Sequence, residues 1–232
     1  MMQRTHTYTS ISKNICISVL LLLGTTIQAQ IPKKIFEQPK DSTRFLRHVA
    51  VSADLVGPLQ LLLSDYGQYE AAARVSLRNK YFPVVELGYG QADSEDITTH
   101  LHYTCKAPYG RIGLDVNMLK NKDDDYRLYV GARYGYTSFK YTVNHPGITD
   151  PVYGTQLPFN LNDISNQYHW LEAVMGVDVK LWGPLRMGWS VRYKHRIASS
   201  ANTEAGNPWY VPGFGKPKAT PIGGTFLVTV EI

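Results

Sequence analysis

The chain is poor in cysteine, with two in 232 residues, Cys16 and Cys105. Cys16 falls in a segment read below as a removed leader. The exported chain then keeps Cys105 alone, so no intrachain disulfide and no cysteine-based metal site can form. Long apolar runs are also missing. Past residue 29 no stretch of about 18 apolar residues occurs, which excludes a helical membrane protein. There is no run of five or more like charges, and the net charge of +5 is spread along the chain, so a nucleic-acid footprint is absent. Gly88-Tyr89-Gly90 continues an extended pattern and opens no helix, so it is no phosphate loop. No nucleophile elbow occurs either.

What is present begins with an export signal over residues 1–29. Arg4 and Lys13 supply the basic end, Ile15 to Leu23 the apolar stretch, and Ala29 a small residue for cleavage. That stretch is about nine residues, roughly half of a membrane-spanning helix. Cys16 stands at its start, whereas a lipid-bearing cysteine would follow it. Residues 30–46 read as a periplasmic N-terminal segment and 47–232 as one domain. Its 16 tyrosines, 19 glycines and 13 prolines suit strands and turns better than a helical bundle.

From Arg47 onward the dominant pattern is alternation with period two. Leu171, Ala173, Met175, Val177, Val179 and Leu181, for example, interleave with Glu172, Val174, Gly176, Asp178 and Lys180. Eight such segments occur, at 48–55, 69–78, 85–90, 108–118, 126–136, 171–181, 185–194 and 222–232. Most run about nine to twelve residues, the length that crosses a bilayer at a tilt, against about five or six for soluble strands. Short connections (79–80, 121–125, 182–184) alternate strictly with long ones (57–68, 91–103, 141–167, 197–221). The expectation is an all-β, eight-stranded antiparallel up-and-down transmembrane β-barrel, with three short periplasmic turns and four long outer loops.

The two strand faces differ in kind. One is aliphatic and aromatic, suited to lipid. The other carries Arg78, Arg127, Lys180, Arg186, Lys194 and Glu231, together with a lumen charge network of Asp54, Glu70, Arg74, Glu86, Arg111, Asp115, Arg133, Glu172, Asp178 and Arg192. Eight strands leave an interior just wide enough to be filled by side chains. Charges there must pair, because an unpaired buried charge is costly. Glycines on this face make room for arginines. A soluble barrel would reverse the faces, with the apolar one inside.

Aromatics near strand ends, namely Tyr81, Phe82, Tyr103, Tyr109, Phe139, Tyr141, Tyr168, Trp170, Trp182, Trp209 and Tyr210, suit girdles at the two membrane interfaces, or simply the preference of aromatics for strands. The run Leu59-Gln60-Leu61-Leu62-Leu63 suits a short helix over the barrel mouth, a strip touching lipid, or an extension of the first strand. His145 to Pro151 is rich in turn formers. Asn207 to Gly215 would expose aromatics to a partner or glycan. His100 and His102 with Asp96 are a weak metal candidate. Ser138, His169 and Glu172 near the outer rim are the residue types of an acyl-transfer triad, without a local signature.

The runs Leu63 to Glu70, Arg78 to Gly90, Asn117 to Lys122, Arg127 to Tyr136, Trp182 to Leu185 and Trp209 to Gly213 resemble an uncharacterised family of exported Bacteroidota proteins, the domain of unknown function numbered 6048. The resemblance covers nearly the whole exported chain. It implies an outer-membrane-type barrel in such a bacterium and supplies no functional residues.

The sequence therefore points to a small outer-membrane barrel, structural or binding through its outer loops, with no catalytic centre, metal or cofactor. Its expected partners are membrane lipid, the barrel-assembly machinery and an unknown extracellular ligand or protein, but no nucleic acid. Two alternatives stand beside it: an outer-membrane lipid-modifying enzyme with a site at the barrel rim, and a soluble periplasmic barrel binding a small apolar ligand.

Overall fold

In the computed structural model the described residues are 45–121, 124–149, 154, 156–200, 207–217 and 221–232. The expected signal peptide, Cys16 and nearly all of the expected periplasmic N-terminal segment lie outside them. Eight strands, β1 (Leu46–Asp54), β2 (Tyr66–Leu77), β3 (Tyr81–Glu95), β4 (His102–Asn117), β5 (Tyr126–Thr149), β6 (Gln156–Trp182), β7 (Leu185–Ser199) and β8 (Ile222–Glu231), follow one another in the sheet. Every neighbouring pair is antiparallel, and β8 returns to β1, with Ala50 opposite Glu231 and Asp54 opposite Leu227. Where all eight strands run side by side the closed ring leaves no free edge, so the ladder satisfies the backbone there.

The ladder is staggered. Stepping across it from Ala50 leads through Arg74, Val84, Gly113, Arg133 and Glu172 to Lys194 and then Pro221. The β8–β1 register carries Pro221 to residue 60 rather than 50. A shift of this size tilts the strands by about 40° and sets a narrow interior.

Side-chain parity divides the wall as the alternation predicts. Leu171, Val177 and Val191 face outward, 47%, 36% and 60% exposed, whereas Arg133 and Arg192 face inward, 2% and 1% exposed. The turn between β2 and β3 explains the exception at Arg78. Arg78 and Asn79 both have positive φ, 53° and 51°, and Lys80 N–H donates to Leu77 O at 3.0 Å, the geometry of a hairpin turn matched to strand twist. Arg78 is thereby exposed at the turn rather than in the lumen. Lys180, beside a register shift at the end of β6, is exposed as well.

The long connections differ from expectation. The segment 91–103 is mostly strand, leaving 96–101 as the turn, and 141–167 is mostly a paired hairpin of β5 and β6. Apolar–polar alternation fades in these stretches, but the ladder continues because the inward residues Tyr103, Tyr141 and Ile164 pack on an aromatic cluster. Residues 57–63 lie in a helix, α1 (Val56–Leu63). It presses on β2 through two glycines. A Cβ on Gly57 would lie 2.1 Å from Gln68 O, and one on Gly67 would lie 2.6 Å from Leu61 Cγ, so only Gly allows this approach.

Aromatics are the largest correction. Tyr81 and Trp182 do face outward, but Phe82, Tyr103, Tyr109, Phe139, Tyr141, Tyr168, Trp170 and Tyr210 are buried inside the ring. The interior glycines serve these rings more than arginines. Gly88 lies under Tyr109, Gly135 under Trp170 and Gly176 under Tyr129, while Gly113 accommodates Arg133.

Candidate functional site

The lumen has an ion-pair layer and a ring layer. Arg111 is central to the first. Its Nη2 donates to Glu70, its Nη1 lies 3.1 Å from both oxygens of Glu172, and its Nε lies 3.1 Å from Glu86 Oε2. Arg133 donates to Glu86 at 2.6 Å and grips Asp115 with two bonds of 2.7 and 3.1 Å. Arg192 reaches Glu86 at 2.8 Å and Glu70 at 3.1 Å. Arg74 joins Asp115 (3.2 Å) to Asp178 (3.4 Å) and stacks on Tyr129, 4.7 Å from its centroid. Towards the short turns, Arg186 donates to Asp178 at 2.8 Å, and Arg127 donates to Glu231 at 2.8 Å. Two-pronged guanidinium–carboxylate bonds are the strong kind.

Nine of the ten expected network residues thus meet. Asp54 does not. It accepts from the N–H groups of Val56 (3.1 Å), Gly57 (3.0 Å) and Phe226 (3.0 Å), and so holds the start of α1 against β8. Arg127, Arg186 and Glu231 belong to the network although only face parity marked them. Among the described residues, the inward charges below the rim are seven of each sign, Arg74, Arg111, Arg127, Arg133, Arg186, Arg192 and Lys194 with Asp54, Glu70, Glu86, Asp115, Glu172, Asp178 and Glu231. Arg196, exposed at the rim beside Tyr168 and opposite Trp170, is a further cation on this face.

The ring layer sits above, tied to the charges by Tyr109 O–H to Glu70 at 2.9 Å and Trp170 Nε1–H to Glu172 at 2.7 Å. The segment 207–217 folds into it. Tyr210, Val211 and Phe214 are buried, with Phe214 5.0 Å from Tyr168 and 6.0 Å from Trp170, centroid to centroid. Only Trp209 of its aromatics keeps an exposed face, which overturns the expectation of an exposed aromatic loop. Val211 and Gly215 pair with each other at 2.9 and 2.8 Å. Gly213 has φ +80°, and a Cβ there would lie 2.6 Å from the Tyr109 ring. Tyr103 O–H donates to Tyr210 O at 2.7 Å, and Tyr210 O–H donates to Gly67 O at 3.0 Å. Burial pushes the Tyr210 phenol up, so it stays a neutral donor. This segment was invisible to periodicity because it is a turn, and its inward course follows from packing with distant strands.

The remaining candidates separate. Ser138 and His169 face away from the lumen, and His169 Nδ1 pairs with Tyr134 Oη at 2.7 Å, whereas Glu172 is buried inside with Arg111 and Trp170. The three residues share no site. His102 Nε2 lies 2.7 Å from Asp93 Oδ1, while His100, at φ 52°, is in the turn. Asp96 accepts N–H bonds from Thr99 (2.9 Å) and Thr98 (2.8 Å), which hold its carboxyl below the usual range. Among the described residues no group of three or more His, Cys, Asp or Glu is arranged to hold a metal. Gly147 N–H donates to His145 Nδ1 at 3.0 Å, and residues 150–153 lie outside the described set.

Chemically, the carboxylates of the ion-pair layer are taken up by guanidinium, indole and phenol donors, and Asp54 by backbone N–H groups, with the ring layer above them. No curated protein and no solved structure matches the chain. A family model does, over residues 10–231, nearly the full length, and the chain belongs to that family, the domain of unknown function DUF6048.

Proposed function

We propose that the protein is a sealed outer-membrane β-barrel that acts structurally or as a binding surface through the hairpins and loops on its outer side. The observation that carries this reading is the inverted packing of the ring. Apolar side chains cover its outside, and seven charges of each sign fill its inside. In water such an outer surface would be a large exposed apolar patch. In hydrocarbon it is the required one.

Tyrosine placement supports the same reading. Tyr81 and Tyr89 are exposed on β3, and Tyr126 and Tyr134 on β5. Each pair lies eight residues apart, a height of about 20 Å on a tilted strand, close to the apolar band of such barrels. Tyr69 stands directly opposite Tyr89, and Tyr136 and Tyr193 are exposed too. These tyrosines give the outer surface two aromatic levels. The lumen, filled by ion pairs and rings, suits neither a wide pore nor an apolar ligand held on the ring axis.

Membrane fractionation with a carbonate wash tests the assignment. The protein should stay with the outer membrane, and release into the soluble fraction would refute it. Val177→Arg, on the outer face, should destabilise the inserted barrel by about 2–4 kcal/mol, read as a lower urea midpoint for refolding into vesicles.

A further inference from the structure

The wall of the ring dips where its two shortest strands meet, β1 with 9 residues and β8 with 10, between the longer β2 and β7. Helix α1 lies over this dip, with Leu59 and Leu63 exposed. Between α1, the start of β8 and the plug segment is a side cavity of about 490 Å³, lined by Leu59, Leu63, Ile222, Phe214, Gln68 and Lys194 among others. That volume is within the range of small-molecule sites, about 300–1,000 Å³.

Lys194 distinguishes this cavity. Each of the six lumen arginines has a carboxylate within 4.0 Å. Lys194 has none among the described residues. Its cross-strand neighbour Glu172 is taken by Arg111 and Trp170. The ammonium instead donates to Gly213 O (3.2 Å) and Phe214 O (2.9 Å), which uses two of its three N–H groups. A partly buried ammonium with no carboxylate in contact has room for an anion beside it.

We propose that this notch binds a long-chain alkyl carboxylate, with the carboxylate on Lys194 and the chain along Leu59, Leu63 and Ile222 towards the outer face of the ring. Two features point to the class. One ammonium in the cavity lining calls for a single anionic head, and the side of the same cavity formed by Leu59, Leu63 and Ile222 calls for an apolar chain. The proposal deepens the membrane reading, which supplies the source of the ligand, but binding to purified protein is measured without it.

The test is equilibrium binding of radiolabelled hexadecanoate to the full chain in a zwitterionic detergent, with hexadecanol and acetate as comparisons. Hexadecanoate should saturate at one per chain and bind about tenfold or more tighter than hexadecanol, the scale of one charge-assisted hydrogen bond. Acetate should fail to compete. Lys194→Gln should abolish the preference for the acid, and Leu59→Trp, at an exposed helix position, should weaken both long-chain ligands. Equal binding of acid and alcohol, competition by acetate, or full hexadecanoate binding by Leu59→Trp would each overturn the proposal. If Lys194→Gln does not fold, the unsubstituted protein and Leu59→Trp still decide it. Failure here with membrane retention intact would remove the notch ligand and leave the barrel assignment standing.

Discussion

The lumen keeps its two layers closed by different means. In the ion-pair layer, guanidinium groups and carboxylates from strands far apart in the chain neutralise one another. Arg192 and Glu70 are 122 residues apart, and Arg192 and Glu86 are 106 apart. In the ring layer, aromatic side chains and a turn between β7 and β8 fill the mouth by shape, with a few hydrogen bonds. The first layer depends on every partner being present. The second depends on volume and on one backbone conformation. Removing one member of a buried pair leaves an uncompensated charge, while trimming a ring leaves a cavity.

The most severe way to break the contrast is Arg111→Ala. It takes away the one cation shared by Glu70, Glu86 and Glu172, leaving three carboxylates around a void with Arg133 and Arg192 as the remaining guanidinium partners, and should cost about 3–5 kcal/mol. Urea unfolding of the detergent-folded chain would measure it, and a loss below about 1 kcal/mol would mean that pairing does not hold this layer together. Phe214→Ala should cost about 3 kcal/mol through the cavity beside Trp170 and Tyr168, with faster hydrogen exchange in 207–217 and little change in the strands. Gly213→Ala imposes a positive-φ penalty and a contact with Tyr109, about 2 kcal/mol, and should loosen the same segment. Tyr210→Phe removes only the bond to Gly67 O and should cost about 1 kcal/mol. If these three disturbed the arginines as much as the plug, the two layers would be one unit.

Much of the wall was legible in the sequence. Period-two alternation located all eight strands, and face parity separated Val177 and Val191 from Arg133 and Arg192 correctly. The turn at Arg78 broke parity because two consecutive positive-φ residues end the strand there. Of the two readings of the strand-end aromatics, membrane girdles fail for the ring layer and strand preference stands, although a sharper signal existed. Tyr103 and Tyr109 share parity with Arg111, Phe139 and Tyr141 share it with Arg133, and Trp170 shares it with Glu172, so each had to point where its charged neighbour points. Position near a strand end had suggested membrane interfaces instead. The inward turn at 209–215 and the meeting of Lys194 with its carbonyls carried no such signal, because both depend on contacts between segments remote in the chain.

The charge balance has a bearing on how the ring is made. Every strand from β1 to β8 contributes at least one of these fourteen inward charges. Some of the bonds between them form within a single hairpin, as Arg133–Asp115 and Arg186–Asp178 do, but those of Arg192 with Glu70 and Glu86 and of Arg111 with Glu172 join strands that are not neighbours. A half-built sheet would leave Arg111 and Arg192 short of most of their carboxylates, a cost that falls on every partly assembled ring and is relieved when the last strands arrive.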